Sequence, residues 1–495
     1  MINRLRLASG IGCAFLASSV VYAATSDSKD NPLGARCEGT DAKKLQKKEI
    51  SKVDGGRKIQ KHDVAPKVKL QESISKAREL CEQVRVKHGL PGLTIAVTVN
   101  GKLVYDEGFG YADVENNVKM EPNVIMRIAS ISKSMTTAML AKLMEEDKIN
   151  IDLPVQTYLP NFPQKEVDGM PVVITTRHLL SHLSGIRHYK KKGEKEKEKN
   201  DESEMSLKEY LLKEKFDSIE KSMELFINDE LHHIPGTKYL YSSHAWTVVA
   251  GIIEKLAETP FPKHAKSMFN YWGLKNTHLD EHEPLIYSRA RYYSRNKHGK
   301  LINAPYVDNS YKWSGGGFLS NVHDLTQFAN MLLYCYQRQD RDRRVSPTCE
   351  LGLPKKPYLD NDTVKKLWTG DPRTLQKNNP DFLYGLGFVV GDIMRKCMYC
   401  KERDLVTIHH SGAAVGASSI LALAFPKNFQ VGCDTVDCRG CDNRSYQWSD
   451  DERKIQEIKA ASDVKGIAVA MITNLTDVSL GNTAHEIANL FKWLI

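Results

Sequence analysis

Long hydrophobic runs are nearly missing from this 495-residue sequence. Beyond the first 24 residues no apolar stretch reaches the roughly 18 residues that a membrane-spanning helix needs, so the body is expected to be soluble. Glycine and proline, 32 and 19 in number, are not enriched, which removes collagen-like and low-complexity classes. Several chemical signatures are absent. There is no G-x-S-x-G turn, no H-E-x-x-H pair and no phosphate-cradling Walker loop. Gly385-Leu386-Gly387 lacks the third glycine of a dinucleotide site. No repeat recurs at a period of about 20–50 residues. The reading that follows needs no cofactor.

What is present is a globular composition. The 41% hydrophobic content is enough for a sizeable core and excludes a wholly disordered chain. The length allows two or three domains, or one large domain with extensions.

The net charge is +9, which raises the question of nucleic acid or an anionic membrane as partner. Location answers it. Residues 41–61 hold eight Lys/Arg against Asp41, Glu49 and Asp54, and residues 190–199 hold six Lys against three Glu. These stretches carry +5 and +3 of the +9. Neither has the apolar periodicity to offset ordering entropy. They read as a basic flexible linker within 25–69 and a charged surface insertion at about 190–205. The rest is near neutral, so nucleic acid is not an expected partner.

Residues 1–24 hold Arg4 and Arg6, no acidic residue, and a mostly apolar run that ends near Val21-Tyr22-Ala23. Those parts suit a secretory signal peptide and a mitochondrial presequence alike. A retained leader would bring the basic linker onto an anionic membrane.

Apolar residues recur at helical spacing over 70–88 (Ile74, Ala77, Leu80, Cys81, Val84), and Gly89 stops the run. Residues 93–99 read as a strand, turned by Asn100-Gly101 into a second at 103–105. Residues 126–148 read as one helix. Ser206 and Glu209 form a capping box that predicts a helix over 210–226, and 246–257 predicts another. Strand-like runs return at 386–390, 405–409, 419–425 and 467–473, before a last helix at 484–494. Strands at both ends with helices between predict an α+β fold: one antiparallel sheet with its first and last strands adjacent, helices on its faces, and an inserted helical lobe. The α/β lobe is placed at about 70–125 and 300–495, the helical lobe at about 126–299.

Ser130-Ile131-Ser132-Lys133 is an S-x-x-K. Positions i and i+3 share a helix face, about 5–6 Å apart at Cβ, so Lys133 is expected to reach the Ser130 hydroxyl. A serine attacking a carbonyl needs a base for its proton and donors for the oxyanion; a helix N-terminus offers free N–H groups. Alone, the tetrapeptide fits an ordinary N-capping serine and a solvated lysine better. Two later segments change the balance. Tyr241-Ser242-Ser243 precedes a helix; His409-His410-Ser411-Gly412 ends a strand before a small-residue turn at 413–417. A tyrosine becomes a second base or proton shuttle if cations lower its pKa. His410 would present a cation or donor, while His409 should alternate to the other face in a structural role.

In this order the segments resemble the S-x-x-K, Y-S-x and H-x-G elements of the serine β-lactamase and penicillin-binding-protein superfamily. Residues 174–185, 315–320 and 384–387 are similar to further phrases of it. Residues 126–134, 182–189, 305–313 and 416–419 are similar to its animal mitochondrial branch, over about 75–495. The resemblance implies a β-lactamase/transpeptidase-like antiparallel sheet flanked by helices with an inserted all-helical lobe, the active site lying between the lobes. It implies a serine hydrolase, peptidase-like, acting on a peptide or small acyl substrate, located in mitochondria and linked to lipid metabolism; secretion is the alternative address. Residue by residue, it makes Ser130 the nucleophile, Lys133 its base or proton relay, and Tyr241 the proton shuttle. His410 takes the place where many members carry lysine. The backbone N–H groups of Ser130 and Ala413 form the oxyanion hole, and Ser243, Ser411 and Gly412 line the substrate. Ser243 stands where Y-x-N members carry asparagine. With His410, it argues against β-lactam hydrolysis and leaves acyl transfer on a peptide, amide or ester. A carboxylesterase and a catalytically weak scaffold are the alternatives. The oligomeric state is open, with self-association allowed.

Five of the ten cysteines cluster as Cys397-x2-Cys400 and Cys433-x4-Cys438-x2-Cys441. They flank the predicted strands at 405–411 and 419–425, and should emerge together at the end away from His410. Disulfides, one structural Zn²⁺ and unpaired thiols all fit; no catalytic metal is expected. Asn361, Asn443 and Asn474 begin glycosylation sequons, which matter only in a secreted chain. Mass spectrometry of the native Asn443 peptide separates the two addresses: a bare asparagine is expected for a mitochondrial protein, and a glycan would establish secretion.

Overall fold

Asn100 and Gly101 both have positive φ, 49° and 77°, the mirror-image turn that an Asn-Gly pair favours. The turn joins strand β1 (Gly92–Val99) to β2 (Lys102–Asp113). The computed structural model describes residues 66–189, 209–338, 357–376, 381–391, 405–426, 450–460 and 464–495. The leader, the basic linker, the charged insertion and Cys397, Cys400, Cys433, Cys438 and Cys441 lie outside the described residues.

Six further strands complete the main sheet: β3 (Val118–Lys119), β4 (Phe382–Tyr384), β5 (Val389–Gly391), β6 (Leu405–Ala414), β7 (Ala417–Pro426) and β8 (Ile467–Thr473). Their order is β4-β5-β6-β7-β8-β1-β2-β3. Every pairing is antiparallel, and β1 lies beside β8 with Ala96 opposite Ala470. The first and last strands are therefore neighbours, as the sequence pattern predicts.

The central strands are buried on both faces, and side-chain alternation sorts them into two cores. Ile95, Val97, Ile420, Ala422, Val469 and Met471 point to one core, beneath helices α1 (Pro66–His88) and α5 (Gly481–Phe491). Ala96, Leu421, Leu423, Ala468 and Ala470 point to the other, with α2 (Ile131–Glu145), α3 (His244–Ala257) and α4 (Val322–Gln337). The segment between the two halves of the sheet is mainly helical, with two small hairpins, Lys165–Val167 against Met170–Val172 and Tyr293–Arg295 against Leu301–Asn303, and a short three-stranded sheet of Met126–Arg127, Phe318–Ser320 and His278–Leu279.

Four expectations are corrected. The helix predicted over 126–148 begins only at Ile131, because Met126–Arg127 pairs as a strand with Leu319 and Ser320. Ala129, at φ 48°, cannot continue a right-handed helix. The helix predicted over 210–226 shrinks to Ile219–Met223. Tertiary bonds override its local pattern: the Tyr210 hydroxyl donates to the Ala413 carbonyl at 2.9 Å, and Phe216 N–H donates to Ser310 Oγ at 2.7 Å. The run 386–390 is largely a turn through Gly387, at φ 77°. Finally, β6 does not end at His409. It runs on to Ala414, leaving Val415-Gly416 as the turn.

Asn100 does more than turn a corner. It is 1% exposed; its amide donates to the carbonyls of Ile458 and Leu494 at 2.9 and 3.3 Å, and its oxygen accepts from Gly466 N–H at 3.0 Å. Asn100→Ala strands those groups and keeps the positive φ. We expect a loss of about 2–4 kcal/mol in denaturant unfolding, against a few tenths for a solvent-facing turn asparagine.

Candidate active site

The site is built at the N-terminus of α2. Ala129 turns the chain sharply, and Ser130 follows with helical angles, φ −66° and ψ −8°, at the N-cap position. Its side chain caps nothing. Instead Ser130 Oγ accepts from the Tyr241 hydroxyl at 2.7 Å and lies 3.0 Å from Lys133 Nζ. Lys133 is 0% exposed. The capping-serine and solvated-lysine reading is therefore excluded by geometry.

Lys133 also reaches Ser243 Oγ at 3.2 Å and donates to the Gly315 carbonyl. Among the described residues no carboxylate pairs with it. Burial, and then the nearby charge of Lys312, hold its amine well below the ordinary lysine value of 10.5. A neutral amine has two N–H donors and one lone pair, which matches the three neighbours: donors to Gly315 and Ser243, lone pair to the Ser130 hydroxyl. Tyr241 moves the opposite way to the sequence expectation. Burial lifts its phenol above the ordinary 10, and the amine 4.9 Å from its ring centre is not charged enough to reverse this. It acts here as a donor. Ser243 Oγ lies 3.2 Å from Lys133 Nζ and partly offsets the upward shift of the Tyr241 and Tyr189 phenols, which sets its hydroxyl among the groups that can relay a proton.

Of the two roles expected of His410, cation or donor, the first is corrected. Its Nε2 meets the Tyr384 hydroxyl at 2.8 Å and its Nδ1 meets the Ser411 carbonyl at 2.7 Å. A carbonyl only accepts, so Nδ1 carries the proton and Nε2 accepts from the phenol. Burial, then the Lys133 amine, depress its pKa from 6.5 to about 3. The expected cation is a neutral, fully engaged imidazole. His409 lies on the other face, against Phe382 and His485.

The edge of β6 faces the serine. Among the described residues no strand pairs with β6 beyond His409 on the β5 side. The carbonyls of Ser411 and Ala413 point to that side, since they accept from His410 and Tyr210. In an antiparallel ladder the N–H of a residue points with its C=O, so the Ala413 N–H is directed there too. Ser411 and Ala413 are exposed, whereas Gly412 is buried. A Cβ on Gly412 would sit 2.2 Å from the Ile128 carbonyl and 3.0 Å from Ala129 Cβ. The missing side chain is what lets β6 lie against the residues leading into Ser130.

A family model described as Beta-lactamase matches residues 72–489. The chain belongs to the beta-lactamase family. It is 37% identical over 467 residues to the human serine beta-lactamase-like protein LACTB, mitochondrial, across 84% of this chain and 79% of that one. Among solved structures it resembles EstCE1, a hydrolase with promiscuous acyltransferase activity, at TM-score 0.59 and 19% identity over 85% of this chain and 99% of that one. It also resembles the octameric penicillin-binding protein homologue from Pyrococcus abyssi, at TM-score 0.58 and 20% identity over 85% and 77%. These two likenesses concern the fold.

Beta-lactamase-family membership accounts for the chain path, but several site residues were not singled out by sequence reasoning. Ser242 N–H donates to His182 Nδ1 at 3.1 Å, and Ser243 N–H donates to His188 Nδ1 at 3.2 Å. Two ring nitrogens thus hold the backbone immediately after Tyr241. Arg187, between them, is anchored by Glu209 and Asp229 at 2.8 and 2.6 Å and offers its carbonyl to Ser242 Oγ. The similar phrases at 174–185 and 182–189 were the sequence signal for His182, Arg187 and His188.

His182, His188, His244, His409 and His410 all have pKa values lowered by burial. The unfolded chain binds protons at these positions below about pH 6.5 while the fold does not. Stability is therefore present above that pH and lost as pH falls, at up to about 1.4 kcal/mol per pH unit for each histidine still neutral. Melting scans between pH 7 and 5 should show a steep fall; a flat profile would contradict neutral burial.

Proposed function

We propose that this chain is a serine hydrolase that forms an acyl-enzyme on Ser130, acting on peptide bonds within mitochondria. The observation that carries the reading is the double contact on Ser130 Oγ, from Tyr241 at 2.7 Å and Lys133 at 3.0 Å, with Lys133 buried and unpaired by any carboxylate among the described residues. The Ser130 proton passes to the Lys133 lone pair as Oγ bonds to the substrate carbonyl carbon. The oxyanion is held by the N–H groups of Ser130 and Ala413. The tetrahedral species collapses when the C–N bond breaks and the leaving nitrogen takes the Tyr241 proton. Lys133 restores that proton through the Ser243 hydroxyl. Water then attacks the acyl-enzyme, its proton following the same relay, and the acid product leaves with Ser130 reprotonated. The mitochondrial address is supported by the human relative's name. The reading stops at peptides and small acyl groups.

A carboxylesterase is the second reading. It is favoured by Ser243, whose hydroxyl faces Lys133 and leaves no side-chain amide at that position to grip a substrate amide. Comparing kcat/KM for short acyl esters and peptidyl amides on one preparation decides between them.

Ser130→Ala should abolish labelling by a fluorophosphonate probe without shifting the melting temperature; equal labelling would sink the acyl-enzyme. Because Lys133 must be neutral to act, kcat/KM should rise with pH and level off well below the ordinary lysine value of 10.5. Lys133→Arg, always protonated, should lose ~10²-fold or more.

A further inference from the structure

The open edge of β6 carries a bond at the place where a substrate would pair. The Tyr210 hydroxyl donates to the Ala413 carbonyl at 2.9 Å. The N–H of that same residue is directed at the oxyanion, and its N–H and C=O leave the strand on one side. In an antiparallel ladder, two residues facing each other as a hydrogen-bonded pair exchange both bonds, N–H to C=O and C=O to N–H. An acyl residue whose carbonyl oxygen accepts from the Ala413 N–H therefore brings its own N–H, where the α-carbon carries one, to the Ala413 carbonyl. A ladder donor meets that carbonyl nearly in line with the edge, so phenol and substrate N–H contend for one direction.

The strand is not the partner that can yield. Ala414 pairs with Ala417 of β7, and the Val415 carbonyl accepts from Arg127 at 2.7 Å. Arg127 is held in turn by Asp280 at 2.7 Å. Gly416 N–H donates to Thr476 Oγ1 at 2.7 Å, and Gly412 has no room even for a Cβ against the Ile128 carbonyl. A shift of β6 would break these contacts together. Tyr210 is only half-buried. Its ring centre lies 5.4 Å from that of Tyr189 and 4.3 Å from Lys312 Nζ, and a side chain so placed can change rotamer while a paired strand keeps its register.

We propose that Tyr210 is a specificity residue, whose hydroxyl fills the strand-edge acceptor and selects against acyl portions that carry an N–H on the α-carbon. The inference rests on the acyl-enzyme reading for Ser130 and narrows its substrate class. The favoured acyl groups reach the reacting carbonyl through carbon alone: simple acyl esters, and amides formed through a side-chain carboxyl. These leave the phenol on Ala413. A main-chain peptide has to turn it away first and strands its hydroxyl.

The test uses the full chain and two isosteric esters. Phenyl N-acetylglycinate carries the N–H; phenyl levulinate has a methylene in its place. In Tyr210→Phe, which keeps the ring and removes the donor, the ratio of kcat/KM for the amide ester over the keto ester should rise ~3- to 10-fold, mainly through KM. Tyr210→Leu serves if the phenylalanine variant fails to fold. A ratio that stays put or falls overturns the proposal, as do two rates that change by the same factor, which is the mark of a merely structural tyrosine. Ligand-observed NMR on Ser130→Ala protein, with and without Tyr210→Phe, compares the binding of methyl N-acetylglycinate and methyl levulinate and keeps the two readings apart. A Tyr210-dependent preference in binding without acylation of wild type upholds the specificity role and sinks the hydrolase. Acylation with no Tyr210-dependent difference in either assay sinks the specificity role alone.

Discussion

The burial of Lys133 without a counter-ion is the constraint around which the site is organised. A charged ammonium at 0% exposure would need a carboxylate, and none of the described residues provides one. The fold resolves the problem by keeping the amine neutral. That choice fixes the other protonation states. A neutral amine accepts from the Ser130 hydroxyl and leaves its oxygen free to accept in turn, and Tyr241, as a phenol, supplies that donor. His410 must be neutral as well, since a buried imidazolium there would meet no anion among the described residues either. The engagement of buried imidazoles and phenols around the serine follows from excluding charge, not from pairing it.

Charge exclusion also explains how the second motif is held. The Tyr241 loop is fixed through backbone N–H groups that donate to His182 and His188, acceptors that exist only in the neutral ring. The ion pairs are placed one layer out, where Arg187 meets Glu209 and Asp229 and Arg127 meets Asp280. There they position backbone without imposing a field of one sign on the serine. A residue such as Arg187 therefore supports the site through its carbonyl and not through its charge.

The sequence reading reached these features unevenly, for physical reasons. The Ser130–Lys133 contact follows from i,i+3 helix geometry, and the Asn100-Gly101 turn from local φ preference, so both were legible. The start of α2 was not. Its hydrophobic pattern runs smoothly back through Ile128 and Met126, and nothing local marks Ala129 as left-handed; the strand pairing with Leu319 imposes it. The missing helix after Tyr210 is a similar case, since one phenol bonded to Ala413 outweighs a capping pattern. Protonation states were the least legible of all. The expectation of a cation at His410 and an acidic Tyr241 assumed charges near the serine, and only packing shows that burial has removed them.

The same constraint reaches Lys312. It is 6% exposed, set among the rings of Tyr189, Tyr210 and Tyr311, with no carboxylate paired to it among the described residues. Burial, and then the Arg127 charge, bring its amine down to about 7. After burial, the Lys312 charge is what lowers Lys133. Two buried lysines without anions thus oppose each other's protonation, and the neutral state of the base is set by packing and by its neighbour together.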